Sequence, residues 1–191
     1  HHRFTAISYK LPLVDAMVGS ALVMAEMNGI SKAGHVREKI VQLISYAERL
    51  RGLTHYAAMM ASPREAGIAV PHTMYVNMAK YHFAHGYHDA VRNVQDIAGG
   101  LLVTGPGAED LETEETAQYY RKYYAGHDVT GEDRLKAMTF VKNLVASEFG
   151  AYQEVLAVHA EGSLEAEKQM VARSYDGRRA IDLMRRLAGL G

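Results

Sequence analysis

The sequence predicts an all-α fold, an up-and-down four-helix bundle of the kind with additional short helices, and three observations carry that expectation. Good helix formers dominate, and only four prolines interrupt the chain. Apolar residues return at three- and four-residue steps over long segments, with no sustained alternation of the strand kind. The long segments are joined by short connections marked by Gly, Ser or Pro, which suits antiparallel neighbours.

At 191 residues, 48% of them apolar, the chain is sized for one domain, 1–191, with a substantial core. The formal net charge of −1 shows no dominant sign, so neither nucleic acid nor an acidic membrane is expected as an obligatory partner. Cysteine is absent, which excludes disulfides and thiolate-held clusters within the chain. Asp15 and Glu26 interrupt the apolar stretch near the start, and no charged-then-apolar leader opens it. A cytoplasmic location without a membrane span is therefore the expectation.

Pro12 suits a first helical turn, and Leu13, Met17, Ser20, Ala21 and Met24 repeat until Asn28-Gly29, giving a first helix over 11–28. Ser31 is placed to cap a second over 31–62. Its Val36, Ile40, Leu43, Ile44, Ala47, Leu50 and Leu53 share one side, and Ser62-Pro63 ends it. After a turn-rich connection, Pro71 can open a third helix over 71–98, rich in aromatics at Tyr75, Tyr81, Phe83 and Tyr87. Its His82, His85 and His88 can share a face, but neither a fourth ligand nor a fixing second shell accompanies them, so no metal site is expected. The acidic run Glu109 to Glu115 suits the start of a short helix, Glu114 to Tyr124. Thr130-Gly-Glu-Asp133 then begins a fourth long helix over 132–160, with Leu135, Met138, Val141, Val145, Phe149, Tyr152 and Leu156 as its stripe. Ser163 starts a last helix over 163–187, whose arginines at 173, 178, 179, 185 and 186 most simply balance surface acids.

Between the third helix and the acidic run lies Val94 to Gly107, where a long helical pattern stops at a glycine pair before an apolar, Gly-Pro-Gly turn. On the bare pattern a plain helix C-cap is the commoner meaning. The other is functional: Gly99 and Gly100 carry no Cβ, so backbone N–H groups there can come close to a bound anionic group.

Gln95-Asp-Ile-Ala-Gly-Gly100 resembles the stretch by which one subunit of an acyl-CoA dehydrogenase meets the FAD held by its neighbour. The longer run Asp96 to Thr104 resembles its version in the 4-hydroxyphenylacetate 3-hydroxylase and 4-hydroxybutyryl-CoA dehydratase family. His2-Arg3 with Lys10, Met27-Asn-Gly-Ile-Ser-Lys-Ala-Gly-His-Val36, His159-Ala-Glu-Gly-Ser163 and Met170-Val-Ala-Arg173 extend the resemblance over nearly the whole chain. His1 and His2 also read as the possible end of an affinity tag. The resemblance implies the C-terminal four-helix bundle of a larger, tetrameric flavoenzyme, the N-terminal helical domain and middle β-domain lying outside this chain. It implies FAD as cofactor, Gln95, Asp96, Gly99 and Gly100 as contacts to the dinucleotide of an adjacent subunit, and His2, Arg3 and Lys10 as contacts to substrate or flavin.

The resemblance also divides the chemistry. In the dehydratases a His, a Tyr four residues on and a Cys-Lys pair occupy the opening segment, the His and Cys holding an iron–sulfur cluster. This sequence keeps His2 and Lys10 but has Ala6 and Tyr9 in the other two positions, and Leu156 where the catalytic Glu falls. No iron–sulfur cluster is therefore expected. The implied activity is that of the hydroxylase branch, in which reduced FAD from a separate flavin reductase serves the hydroxylation of a small phenol by dioxygen. Two alternatives stay open: an acyl-CoA dehydratase and isomerase, and a non-catalytic helical assembly module.

Overall fold

A computed structural model describes residues 2–64, 67–159 and 162–190. His1 lies outside them, as do Ala160 and Glu161 of the resemblance motif, and the side chain of His2 is not described. The described residues form ten helices and one minimal hairpin: α1 His2–Ser8, α2 Leu11–Met27, α3 Gly34–Met59, β1 Ser62–Pro63, β2 Ala69–Val70, α4 Thr73–Ala98, α5 Leu101–Thr104, α6 Glu114–Tyr123, α7 Gly131–Val145, α8 Glu148–His159, α9 Leu164–Ser174 and α10 Arg178–Leu187. A 3₁₀ turn, Ala108–Leu111, precedes α6. The all-α bundle expected from the sequence is the architecture found.

Helix α4 is the axis of the molecule, packing against α1, α2, α3, α7, α8 and α9. Its buried side includes Val76, Ala79, Phe83, Tyr87, Val91, Val94 and Ile97, the spacing of one helical face. The facing stripes are Val14, Met17, Ala21 and Met24 of α2, Val36, Leu43, Ala47 and Leu50 of α3, and Met138, Val141 and Val145 of α7. The segment Arg3–Met27 is long and apolar enough to cross a membrane by length and composition. The turn at Tyr9 and Lys10 divides it into two helices, and the Val14 to Met24 face is spent on the core.

Four boundaries differ from expectation, each for a local reason. Ser31 does not cap α3; it sits in a turn closed by the Ala33 N–H on the Ile30 carbonyl, and extended Ala33 is the cap residue. The same helix stops at Met59, freeing Ser62–Pro63 to pair antiparallel with Ala69–Val70. The helix expected over 132–160 is two. Ala146 leaves helical geometry at φ −149°, ψ 23°, and Ser147 closes the break by donating its hydroxyl to the Asn143 carbonyl while accepting the Gly150 N–H. The stripe predicted to continue through Phe149 and Tyr152 therefore turns outward, leaving them 51% and 59% exposed. The last helix also divides, where Tyr175 turns extended and the Asp176 carboxylate accepts the Arg178 N–H at 3.1 Å. The expected caps at Thr130 and Ser163 are present, accepting from Asp133 N and Ala166 N.

Candidate functional site

The residues singled out in the sequence fall at the two ends of α4. At its C-terminal end Gly99 has φ 82°, ψ 179°, a backbone region essentially closed to residues with a side chain. Gly100 differs: it is right-handed helical at φ −60°, ψ −29°, and an added Cβ would meet nothing within 4 Å. Neither its conformation nor its packing in this chain calls for glycine. Among the described residues the Gly100 and Leu101 N–H groups donate to no carbonyl or side chain, whereas the Gly99 N–H returns to the Gln95 carbonyl at 2.9 Å.

Gln95 faces inward. Its side-chain amide donates to the Val145 carbonyl at 2.6 Å, holding the end of α7 at the break. Asp96 is ion-paired with Lys39 at 2.9 Å on the surface. Two residues not assigned a role from the sequence fix the glycine turn. The Asn28 amide donates to the last carbonyls of α4, Ile97 at 3.1 Å and Ala98 at 3.4 Å, and its oxygen accepts Arg134 at 2.6 Å. Arg134 also donates to the Tyr124 carbonyl at 3.3 Å and stacks over the Tyr124 ring at 5.1 Å. Its buried Nε has no hydrogen-bond partner among the described residues. Gly99, Gly100, Asn28, His127 and Arg134 line a cavity of about 410 Å³, and on the other side of the pair Arg92, Gln95, Asp96 and Val103 line one of about 500 Å³. Asn28 lies inside the Met27–Val36 motif of the resemblance, whereas nothing local in the sequence distinguishes Arg134.

At the N-terminal end of α4, Arg3 donates through its guanidinium to the Asn77 side-chain oxygen, and Asn77 donates to the Thr73 carbonyl at 2.7 Å. Arg3, Asn77, Val70 and Met170 line a cavity of about 290 Å³. Lys10 is buried, its ammonium 4.7 Å from the Phe83 ring centroid, a cation–π contact. Behind it lies a charged pair invisible in the sequence: Lys80 and Glu167, both fully buried, 3.6 Å apart. Lys80 also reaches the Ala157 carbonyl at 3.4 Å. Burial holds the Glu167 carboxyl above its ordinary value, opposed first by the charge of Lys80 and then by that of Arg3. Midway along α4, the buried Tyr87 hydroxyl is pushed up to about 12, mainly by burial and then by Glu154.

The two groups do not converge. At a rise of about 1.5 Å per residue, α4 separates Asn77 from Gly99 by about 33 Å. Of the α4 histidines, His82 and His85 both lie against Tyr81, and His88 stands 3.8 Å from Glu154. No group of three potential metal ligands assembles among the described residues.

The helical bundle gathered around α4 is of the acyl-CoA dehydrogenase C-terminal type. The chain belongs to the 4-hydroxyphenylacetate 3-hydroxylase C-terminal family, whose model matches residues 1–189. It is similar to the 4-hydroxybutyryl-CoA dehydratase/vinylacetyl-CoA-Δ-isomerase of Clostridium aminobutyricum, 26% identical over all of this chain and 41% of the relative. It is also similar to the 4-hydroxyphenylacetate 3-monooxygenase oxygenase component of Thermus thermophilus, 26% identical over 81% of this chain and 32% of the relative. Among solved structures, the archaeal 4-hydroxybutyryl-CoA dehydratase of N. maritimus superposes with a TM-score of 0.86 at 26% identity, over 100% of this chain and 38% of that one. The oxygenase component of 4-hydroxyphenylacetate 3-monooxygenase, complexed with FAD and 4-hydroxyphenylacetate, shares the fold at a TM-score of 0.90 and 24% identity, over 98% of this chain and 39% of that one. The chain thus spans about two-fifths or less of the length of these relatives.

Proposed function

We propose that this chain is the C-terminal, FAD-contacting and self-assembling bundle of a larger oxidoreductase, an oxygenase of the 4-hydroxyphenylacetate 3-hydroxylase kind. In this reading the parent enzyme is a cytoplasmic homotetramer that takes reduced FAD from a separate flavin reductase and hydroxylates a small phenol. Bound FAD supplies the redox chemistry. The observation that carries the reading is Gly100, a glycine that the chain's own backbone and packing do not require, beside unpartnered N–H groups. A group approaching from outside explains it, and the adjoining Arg134, with a buried Nε lacking a partner, suits a phosphate. The site therefore fits the pyrophosphate and adenosine half of a dinucleotide held mainly by an adjacent subunit. Gln95 serves it indirectly, by fixing α7 against the turn, and Asp96 stands at the edge of the same surface. At the opposite end Arg3 and Lys10, with His2, would contact the substrate or flavin held on the chain's own side.

A second reading, an acyl-CoA dehydratase and isomerase, is favoured by the C. aminobutyricum relative, which aligns over the whole chain. Against it, Ala6 is buried in the core and Tyr9 offers no thiolate where the resemblance places cluster-binding chemistry. Product analysis on the full-length protein separates the two: a hydroxylated phenol formed with reduced FAD and dioxygen, or a dehydrated acyl-CoA formed without dioxygen. A full-length protein that binds no flavin leaves only an assembly module.

The glycine pair is tested by calorimetric titration of FAD into the full-length enzyme. Gly100→Val should weaken FAD binding by about tenfold or more while leaving the unfolding midpoint nearly unchanged, since the site is right-handed and open. Gln95→Ala should act the other way, costing about 1 kcal/mol of stability through the lost bond to Val145 and affecting FAD less. Unaltered FAD affinity in a folded Gly100→Val protein sinks the assignment.

A further inference from the structure

The end of the bundle that carries Arg3 and Lys10 is gathered around a carboxylate to which the proposed function gives no task. Glu167 and Lys80 are both fully buried, and the Lys80 ammonium stops 3.6 Å from Glu167 Oε1. Among the described residues neither Glu167 oxygen has a hydrogen-bond partner. A buried ion pair adds to stability only where its geometry is close and its remaining lone pairs are satisfied, and neither condition holds here. Burial accordingly keeps the Glu167 carboxyl above its ordinary value even against the charges of Lys80, Arg3 and Lys10. A well-packed apolar pair is often as stabilising or more so, which leaves the charges themselves to be explained.

Their effect falls on the cations around them. Lys10 is also buried, and its ammonium and that of Lys80 approach the same Phe83 ring, at 4.7 and 6.0 Å from the centroid. Like charges gathered in a low-dielectric interior repel strongly, and a carboxylate beside them offsets that repulsion. Arg3 is held from two sides. Buried Asn77 accepts from its guanidinium while donating to the Thr73 carbonyl at 2.7 Å, so the accepting amide is itself fixed. Gly162, at φ 119° just ahead of α9, comes so near that an added Cβ would stand 3.1 Å from Arg3 Nη2. The start of α9 thus brings its backbone against Arg3 and the Glu167 side chain to the cations behind it.

Glu167 has no exposed surface, and the cavity of about 290 Å³ at this end is lined by Arg3, Asn77 and Met170 but not by it. Whatever binds there meets Glu167 only through the cations.

We propose that Glu167, with Lys80, is a positioning residue of this end of the site: its carboxylate balances the gathered cations so that Arg3 and Lys10 keep one arrangement toward flavin or substrate, a role that rests on the assignment of those two as contacts and adds what holds them in place. Asn77 fixes the direction of the guanidinium, and Glu167 fixes the charge around it. The role is the same whichever reaction the parent enzyme performs.

The full-length enzyme tests it, on the product it is found to form. Lys80→Met with Glu167→Leu removes the pair as a unit and should keep the unfolding midpoint close to that of wild type, yet lower kcat/KM by about tenfold or more. Glu167→Gln should lose a similar factor, and Glu167→Asp, which returns the charge on a shorter arm, should recover part of it. Modification of Arg3 by phenylglyoxal gives a readout independent of turnover. Followed by mass spectrometry and normalised to the other arginines of the chain, it should quicken severalfold in Glu167→Gln and in Asn77→Leu and slow again in Glu167→Asp. A folded double variant with wild-type kcat/KM and unchanged Arg3 reactivity overturns the positioning role and leaves the pair as a structural contact, with Arg3 and Lys10 still assigned. Where the double variant does not fold, equal kinetics and equal Arg3 reactivity in Glu167→Gln and wild type overturn it in the same way. Wild-type kinetics in both Arg3→Ala and Lys10→Met overturn the contacts themselves, and the positioning role with them.

Discussion

Lys80 and Glu167 are fully buried and 3.6 Å apart, and no feature of their neighbourhoods in the sequence marks either. A lysine inside an amphipathic pattern and a glutamate in a first helical turn both read as solvated, and the pairing joins positions far apart in the chain. Such a pair adds little net stability while intact, yet losing one partner is expensive, since the other is left as an uncompensated buried charge. Lys80→Met should therefore cost about 3–5 kcal/mol, and Lys80→Met with Glu167→Leu much less, measured as a double-mutant cycle by denaturant unfolding. The pH dependence has a definite sign. With its pKa raised in the folded protein, chiefly by burial, Glu167 contributes fully below the unfolded-chain carboxylate value and loses that contribution as pH rises through the raised value. Wild type should then fall in unfolding midpoint relative to Glu167→Gln over that rise; the opposite slope would mean that the site is built for the carboxylate. Arg3 and Lys10 were singled out where these two were not, because a family resemblance reached them.

The helices show where sequence patterns are sufficient and where they mislead. The axial helix α4 is readable from end to end because its buried face keeps one period and a glycine ends it. The break between α7 and α8 is not, because Ala146 and Ser147 are compatible with helix and the apolar stripe continues past them in the sequence. What stops the helix is tertiary: the Gln95 amide takes the Val145 carbonyl, and Gly150 lies so near that a Cβ would stand 3.0 Å from the Leu144 carbonyl oxygen. The second break falls at Asp176-Gly177, a turn-forming pair set between helical residues on either side. Within α4, Gly86 looks like a flaw, since glycine costs about 1 kcal/mol against alanine in a helix interior. A Cβ there would stand 2.7 Å from the Tyr46 ring, whose hydroxyl donates to the Phe83 carbonyl at 2.8 Å and pins α3 to α4. Gly86→Ala should consequently destabilise the protein by about 1–3 kcal/mol despite its better propensity, and thermal unfolding beside Gly86→Ala with Tyr46→Phe shows how much the pinned ring is responsible.

At the scale of the whole molecule, the helical class and the bundle were legible in composition and period alone. The exposure of α10 among the described residues was not, because whether a helix packs against its neighbours is a matter of topology rather than pattern. The separation of Arg3 from Gly100 by the length of α4 carries a genetic consequence. If every centre draws its basic residues from one subunit and its glycine turn from another, an Arg3→Ala chain and a Gly100→Val chain are each inactive alone. In a hybrid of the two, one centre inherits both lesions and the other inherits neither. Co-expression of the two defective genes should thus recover activity that neither parent shows, and a hybrid as dead as its parents would place both ends of the helix at work within a single subunit.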